Sequence, residues 1–324
     1  MNMKAMLALS GALMLSACQS TSTPEWVLTP TQETNHQLYA VGHGGSLSAA
    51  QRMAMSQLNE RLWTQVESSG YQRQVLRELN GDENYQAVND FRVNVKTAPV
   101  VLNGVDYPRQ ERVDGIYYVE ATINKATVQT QLQRELTQIA EDVKTALLSR
   151  NHADPLLWWL KHRDVQALKD KVLTRQAMLL AVSDGADQAH PVTEQVNTLE
   201  RTLQAVKDQI QFKVVTQKDD RWMKGFIEQH LAAEHIATVT STGKATHILN
   251  LDTQWRQSKV GDAYISTVIA DLTIQNKRGK TTASREVIAS GNSISNYKLS
   301  KEGASRHFSA QMSEQGLWHF LGVL

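Results

Sequence analysis

"THILNLDTQW" (residues 246–255), "YISTVIADLTIQN" (264–276) and "SREVIASGNSI" (284–294) stand in a row near the end of the chain. By alternation or by apolar run, each reads as a strand. Between the second and third, Lys277 to Lys280 around Gly279 form a polar turn. Short turns between successive strands make antiparallel neighbours, so the three read as a meander. Just upstream, "FKVVT" (212–216) and "HIATV" (235–239) are further strands, and between them "DDRWMKGFIEQHL" (219–231) is a helix. Trp222, Met223, Phe226, Ile227 and Leu231 share one face of that helix. A closing helix is expected from Gly303 to Leu321, with Phe308, Met312 and Trp318 inward. This order defines a C-terminal α+β domain over residues 211–324.

Moving upstream, residues 126–210 are helical. Leu132, Leu136, Ile139, Val143 and Ala146 recur at alternating steps of four and three, as do Val192, Val196, Leu199, Leu203, Val206 and Ile210. That spacing makes a narrow apolar seam suited to coiled-coil packing. A third helix is expected from Pro155 to Val182, capped by Asp154, with Leu157, Leu160, Val165, Leu168, Val172, Leu179 and Val182 along one side. Short loops imply an antiparallel helical hairpin or bundle, read as a spacer between two domains.

Residues 25–125 read as a second α+β domain. "YAVGHGGS" (39–46) begins as a strand, Leu38 to Val41, and breaks at its glycines. Ser46 or Ser48 can cap the helix that follows, whose Ala50, Ala54, Leu58, Leu62 and Val66 repeat every four residues. "FRVNVK" (91–96) alternates cleanly. Asn103-Gly104 and Asp114-Gly115 are hairpin signals, because tight hairpin turns need positive φ. The expected result is an antiparallel sheet with one helix packed on it.

Taken in order, "PEW" (24–26), "YAVGHGGS", the small-residue helix with Ala49, Ala50 and Ala54, and "DGIYYVEATI" (114–123) resemble the Lpp-twenty family of outer-membrane lipoproteins. The resemblance covers residues 24–125. It implies a small α+β domain in envelope lipoproteins, some tied to flagellar or surface structures, and it carries over no catalytic residues.

The first residues supply an address. Lys4 and the apolar stretch Ala5 to Leu15 have the build of an export signal, far short of the ~20 apolar residues that span a bilayer. Leu15-Ser16-Ala17-Cys18 is similar to the bacterial lipoprotein signal at all four positions. Cys18 is the one cysteine of 324 residues, which suits a thiol consumed by lipid better than one awaiting a disulfide. Residues 1–17 are then a signal peptide, and 18–24 a polar tether. Resemblance to bacterial lipoproteins implies a diacylglyceryl group and an N-acyl chain on Cys18, the palmitate-type anchor. Gln19, in place of the Asp associated with inner-membrane retention, points to the outer membrane, facing the periplasm.

Composition excludes a nucleic-acid binder: 34 basic residues stand against 33 acidic, and removing the signal deletes only Lys4. Chemistry-bearing constellations are sparse. His230 and His235 in "HLAAEH" are five apart, about 140° around a helix, so they diverge where metal ligands four apart would converge. "GHGGS" (42–46) lacks the lysine and order of a phosphate loop. No nucleophile, cofactor site or metal site is expected, beyond the covalent lipid on Cys18. Trp158 and Trp159 are adjacent, about 100° apart on a helix, so a single seam buries one. Either a partner covers the second or the flanking domains do. The expected function is non-enzymatic: an outer-membrane lipoprotein that binds or scaffolds envelope components such as a flagellar or surface assembly. The alternatives are a periplasm-spanning regulator of a peptidoglycan synthase and, further off, an envelope hydrolase.

Overall fold

The computed structural model describes residues 23–29, 34, 36–69, 100–183, 191–217 and 220–324. The class is α+β, as the sequence indicates. The chain divides into two compact units, one formed by residues up to 142 with 166–196, the other by 143–165 with 197–324.

In the first unit, a short helix α1 (Glu25–Leu28) precedes strand β1 (Gln37–Gly44) and helix α2 (Leu47–Ser69). Strands β2 (Asp106–Val113) and β3 (Ile116–Asn124) follow. The sheet order is β1-β3-β2, antiparallel throughout. Asp114 and Gly115 take φ of +50° and +84° and close the β2–β3 hairpin, as their sequence demands. Gly104 also has positive φ, yet joins no described strands. The strand expected at 91–96 lies outside the described residues.

Strand β1 runs on through Gly42 and ends only at Gly44. A Cβ on Gly42 would lie 2.2 Å from the Ala50 carbonyl oxygen and 2.3 Å from the Ala54 nitrogen. Glycine here serves close helix–strand approach within a continuous strand rather than a turn. Helix α2 is started by Ser46, whose Oγ accepts the Ala49 N–H at 3.3 Å, and it buries Ala50, Ala54, Leu58, Leu62 and Val66 completely. Trp26 Nε1 donates to Glu111 Oε2 at 2.9 Å, pinning "PEW" to β2.

The helical segment follows as α3 (Lys125–Ser149), α4 (Pro155–His162), α5 (Val165–Val182) and α6 (Val192–Gln209). Both apolar seams are buried. Two expectations need correction. The helix anticipated from Pro155 to Val182 is interrupted at Arg163–Asp164. Its halves bury different faces: Leu156, Trp158, Trp159 and Leu160 in α4, and nearly every residue from Val172 to Val182 in α5. Leu157, placed on the buried side from spacing, is 37% exposed. Nor does 126–210 form a spacer unit of its own. Its helices are divided, α3 after Asp142 and α6 after Val196, and each part contributes apolar residues to a different unit.

The second unit holds β4 (Gln211–Thr216), α7 (Arg221–Ala233), β5 (Ala237–Thr238), β6 (His247–Val260), β7 (Ala263–Asn276), β8 (Thr281–Ser293), α8 (Tyr297–Gln315) and α9 (Leu317–Phe320). The sheet order is β5-β4-β6-β7-β8. Strand β4 runs parallel to β5 and β6, while β6, β7 and β8 form the expected antiparallel meander. The closing helix begins six residues before Gly303, because the Asn296 side chain accepts the Leu299 N–H and caps it. It stops at Gly316, where φ is +79°. Helix α8 packs on β7 and β8, with Phe308, Met312 and, from α9, Trp318 and Phe320 buried beneath. No described helix is long and apolar enough to cross a membrane.

Candidate functional site

Asp154 and Pro155 begin α4 for local reasons: the aspartate accepts backbone N–H groups, and proline has none to waste. Asp154 Oδ1 accepts the N–H of Leu156 at 3.0 Å and of Leu157 at 3.3 Å. The same carboxylate also closes a long-range network inside the second unit. His247 Nε2 donates to Oδ1 at 3.1 Å, and Asn276 Nδ2 donates to Oδ2 at 3.0 Å. Because a carboxylate only accepts, Nε2 carries the proton. Nδ1 faces Thr246 Oγ1 at 3.0 Å. His247 is 1% exposed and stacks on Phe212, its register partner on β4, with ring centroids 5.3 Å apart.

Burial alone pulls the Asp154 carboxyl pKa upward. The hydrogen bonds from His247 and Asn276, then the electrostatic attraction of His247 and the Leu157 N–H, outweigh it and hold the pKa at about 2.

A threonine, a histidine and an aspartate in line invite comparison with a nucleophile, base and orienting acid. The geometry denies that role. Thr246 Oγ1 accepts the Gln211 N–H at 2.8 Å and lies 3.0 Å from the Gln211 carbonyl, so the β4 backbone holds it. The imidazole is sealed from solvent. The network is a strut joining the α3–α4 loop to the start of β6 and the end of β7. Asn276 continues it: its Oδ1 accepts the backbone N–H of Arg278 at 3.0 Å and of Lys280 at 3.1 Å, fixing the β7–β8 turn. Over this floor lies a cleft of about 590 Å³, walled by the α3–α4 loop and that turn.

The residues singled out from sequence fall as follows. Cys18 and most of the tether lie outside the described residues. Trp158 and Trp159 are 2% and 6% exposed, so the second unit itself covers both. Trp158 Nε1 donates to the Ala146 carbonyl at 2.8 Å. Trp159 meets Trp318 edge-on at 5.8 Å and lies beneath Lys207 and Arg163. Neither ring is an exposed anchor. His230 Nε2 faces Ser313 Oγ at 3.5 Å, and Glu234 lies 3.8 Å from Arg163. His235 has φ of +57° and ends α7, the next N–H reaching back to the Leu231 carbonyl. Among the described residues, no group of three or more histidines, cysteines or carboxylates is placed to hold a metal. His247 and Asn276 were not singled out from the sequence. Their one local signal is a polar residue at a strand terminus on the face that also carries Leu249 and Leu251.

In class, the chain is an α+β protein with an antiparallel three-stranded sheet in one unit and a mixed five-stranded sheet in the other. No protein-family model and no curated protein matches it, so the likeness to Lpp-twenty lipoproteins rests on the residues quoted above. Among solved structures, the fold is similar to that of the secreted protein HP1454 from Helicobacter pylori, with a TM-score of 0.50 and 15% identity, covering 89% of this chain and 100% of that one. At that identity what is shared is the fold. Partial likenesses join it to a minor lipoprotein from Acinetobacter baumannii (TM-score 0.27, 8% identity, 33% of this chain and 92% of that chain). Another is to lipoprotein GNA1162 from Neisseria meningitidis (0.24, 12%, 32% and 99%).

Proposed function

We propose that this chain is an envelope lipoprotein, anchored in the outer membrane through lipid on Cys18, which binds or scaffolds other envelope components without catalysing a reaction. The observation that carries the reading is Leu15-Ser16-Ala17-Cys18, a four-position match placed directly after an apolar run too short to span a bilayer. Two chains or more on one cysteine hold a protein firmly, where a single chain holds it marginally. The fold shared with a secreted protein is in keeping with export. The histidine, aspartate and threonine of the second unit serve as a buried strut, which favours a binding role over hydrolysis.

Replacing Cys18 with Ser is expected to move the protein from the detergent-requiring membrane fraction to the soluble fraction, with its circular dichroism and melting temperature unchanged. Retention in the membrane fraction would overturn the lipid anchor. Crosslinking in intact cells followed by mass spectrometry tests the scaffolding role: recurrent envelope proteins support it, and turnover of a cell-wall substrate by the purified chain would replace it with an enzymatic one.

A further inference from the structure

We propose that the cleft above the Asp154–His247–Asn276 strut binds a phosphorylated small molecule. This stands apart from the lipid anchor, since it concerns residues of the second unit alone. Arg150 comes from one wall, and Lys277, Arg278 and Lys280 come from the turn opposite. No side chain of these four has a hydrogen-bond or ion-pair partner among the described residues. Elsewhere in the same unit, three cations have carboxylate partners: Arg163 with Glu234, Lys224 with Glu228, Arg306 with Glu302. The single carboxylate lining the cleft is Asp154, and four donors already occupy it. Four like charges lining one open cleft, with the single carboxylate below already engaged, present a positive potential to an incoming anion.

The scaffold beneath fixes the backbone of the turn that carries three of these charges. Asn276 ties the turn's backbone to the Asp154 carboxylate, and Asp154 is fixed in turn by the α4 N-terminus. The turn's backbone is set before binding, and the cost that remains is the ordering of the four side chains. Phosphate suits it better than a carboxylate. It brings up to two charges and three acceptor oxygens, and guanidinium forks engage such oxygens in pairs. At about 590 Å³, the cleft has the size of small-molecule sites and exceeds a bare phosphate, leaving room for a headgroup-sized remainder. Thr281 and His152, also in the lining, offer hydrogen bonds to hydroxyls of that remainder.

Calorimetric titration of the full chain in neutral detergent tests this, with inorganic phosphate, sn-glycerol 3-phosphate and succinate as probes. Binding of the phosphate ester, tighter than that of inorganic phosphate, is the expected result and places a headgroup in the cleft. Equal binding of the two assigns the site to free phosphate. The paired substitution Arg278→Gln and Lys280→Gln should weaken binding at least about tenfold, and Arg150→Gln should weaken it further. Lys298→Gln, an exposed cation outside the cleft, should leave it unchanged. All these side chains are exposed, so melting temperatures should stay at the parent value. Absence of heat with either phosphate, succinate binding as well as phosphate, or affinity unaffected by the paired substitution would each overturn the proposal.

Discussion

Alanine at Gly291 is expected to destabilise the second unit by about 3 kcal/mol, a loss of roughly 6–12 °C in melting temperature. A Cβ there would stand 2.2 Å from the Ala304 nitrogen and 2.4 Å from the Ser300 carbonyl oxygen, both backbone atoms of α8. Neither can swing aside as a flexible side chain would, so the helix must lift from β8. Lifting it parts the Ser266–Ser300 hydroxyl contact, 2.6 Å long and buried, and loosens Phe308 over the sheet. Gly303 supplies the internal control. It lies on the other side of the same contact, but its Cβ would be 3.4 Å from the Gly291 Cα, ordinary van der Waals distance. Alanine there should be neutral or stabilising, by up to about 1 kcal/mol, since glycine in a helix interior is costly. Denaturant titration of both variants checks the pair, and Gly303→Ala proving the more harmful would refute the packing argument.

Asp154→Ala should cost about 3–5 kcal/mol. It strands the His247 Nε2–H and the Asn276 amide without an acceptor and removes the cap of α4. The effect carries a pH signature. The Asp154 pKa lies at about 2 when folded against 3.8 ordinarily. A carboxyl depressed in the native state contributes stability that is fully present above its unfolded pKa and is lost as pH falls through its folded one. That contribution is about 2 kcal/mol, lost between about pH 4 and pH 2. Urea unfolding at pH 6 and near pH 2 should therefore show the gap between parent and Asp154→Ala narrowing on acidification. A gap that holds constant to pH 2 would mean the charge of Asp154 contributes nothing.

Local chemistry accounts for what could be read without coordinates. Alternation in β6 and β7, the four-residue repeat of α2, and the Asp114-Gly115 turn are each settled within a few residues, because strand faces, helix faces and turn φ angles are local properties. The α+β class follows from their order. The likeness of Leu15-Ser16-Ala17-Cys18 to a lipoprotein signal is likewise a matter of contiguous residues. Chain-distant partners decided the rest. Asp154 reads as a helix cap, and only the fold brings it to His247, 93 residues away, and Asn276, 122 away. Gly42 looks like a strand-breaking glycine, and Gly291 carries no signal within its strand, until the helices pressed against them are seen. Helical geometry lets one seam bury only one of Trp158 and Trp159, and both are buried because Trp318 and the Ala146 carbonyl arrive from elsewhere in the chain. The cleft is the clearest case. Arg150 and the Lys277–Lys280 turn share no pattern in the sequence, and they meet because Asp154, beside the first, is hydrogen-bonded to Asn276, at the base of the second.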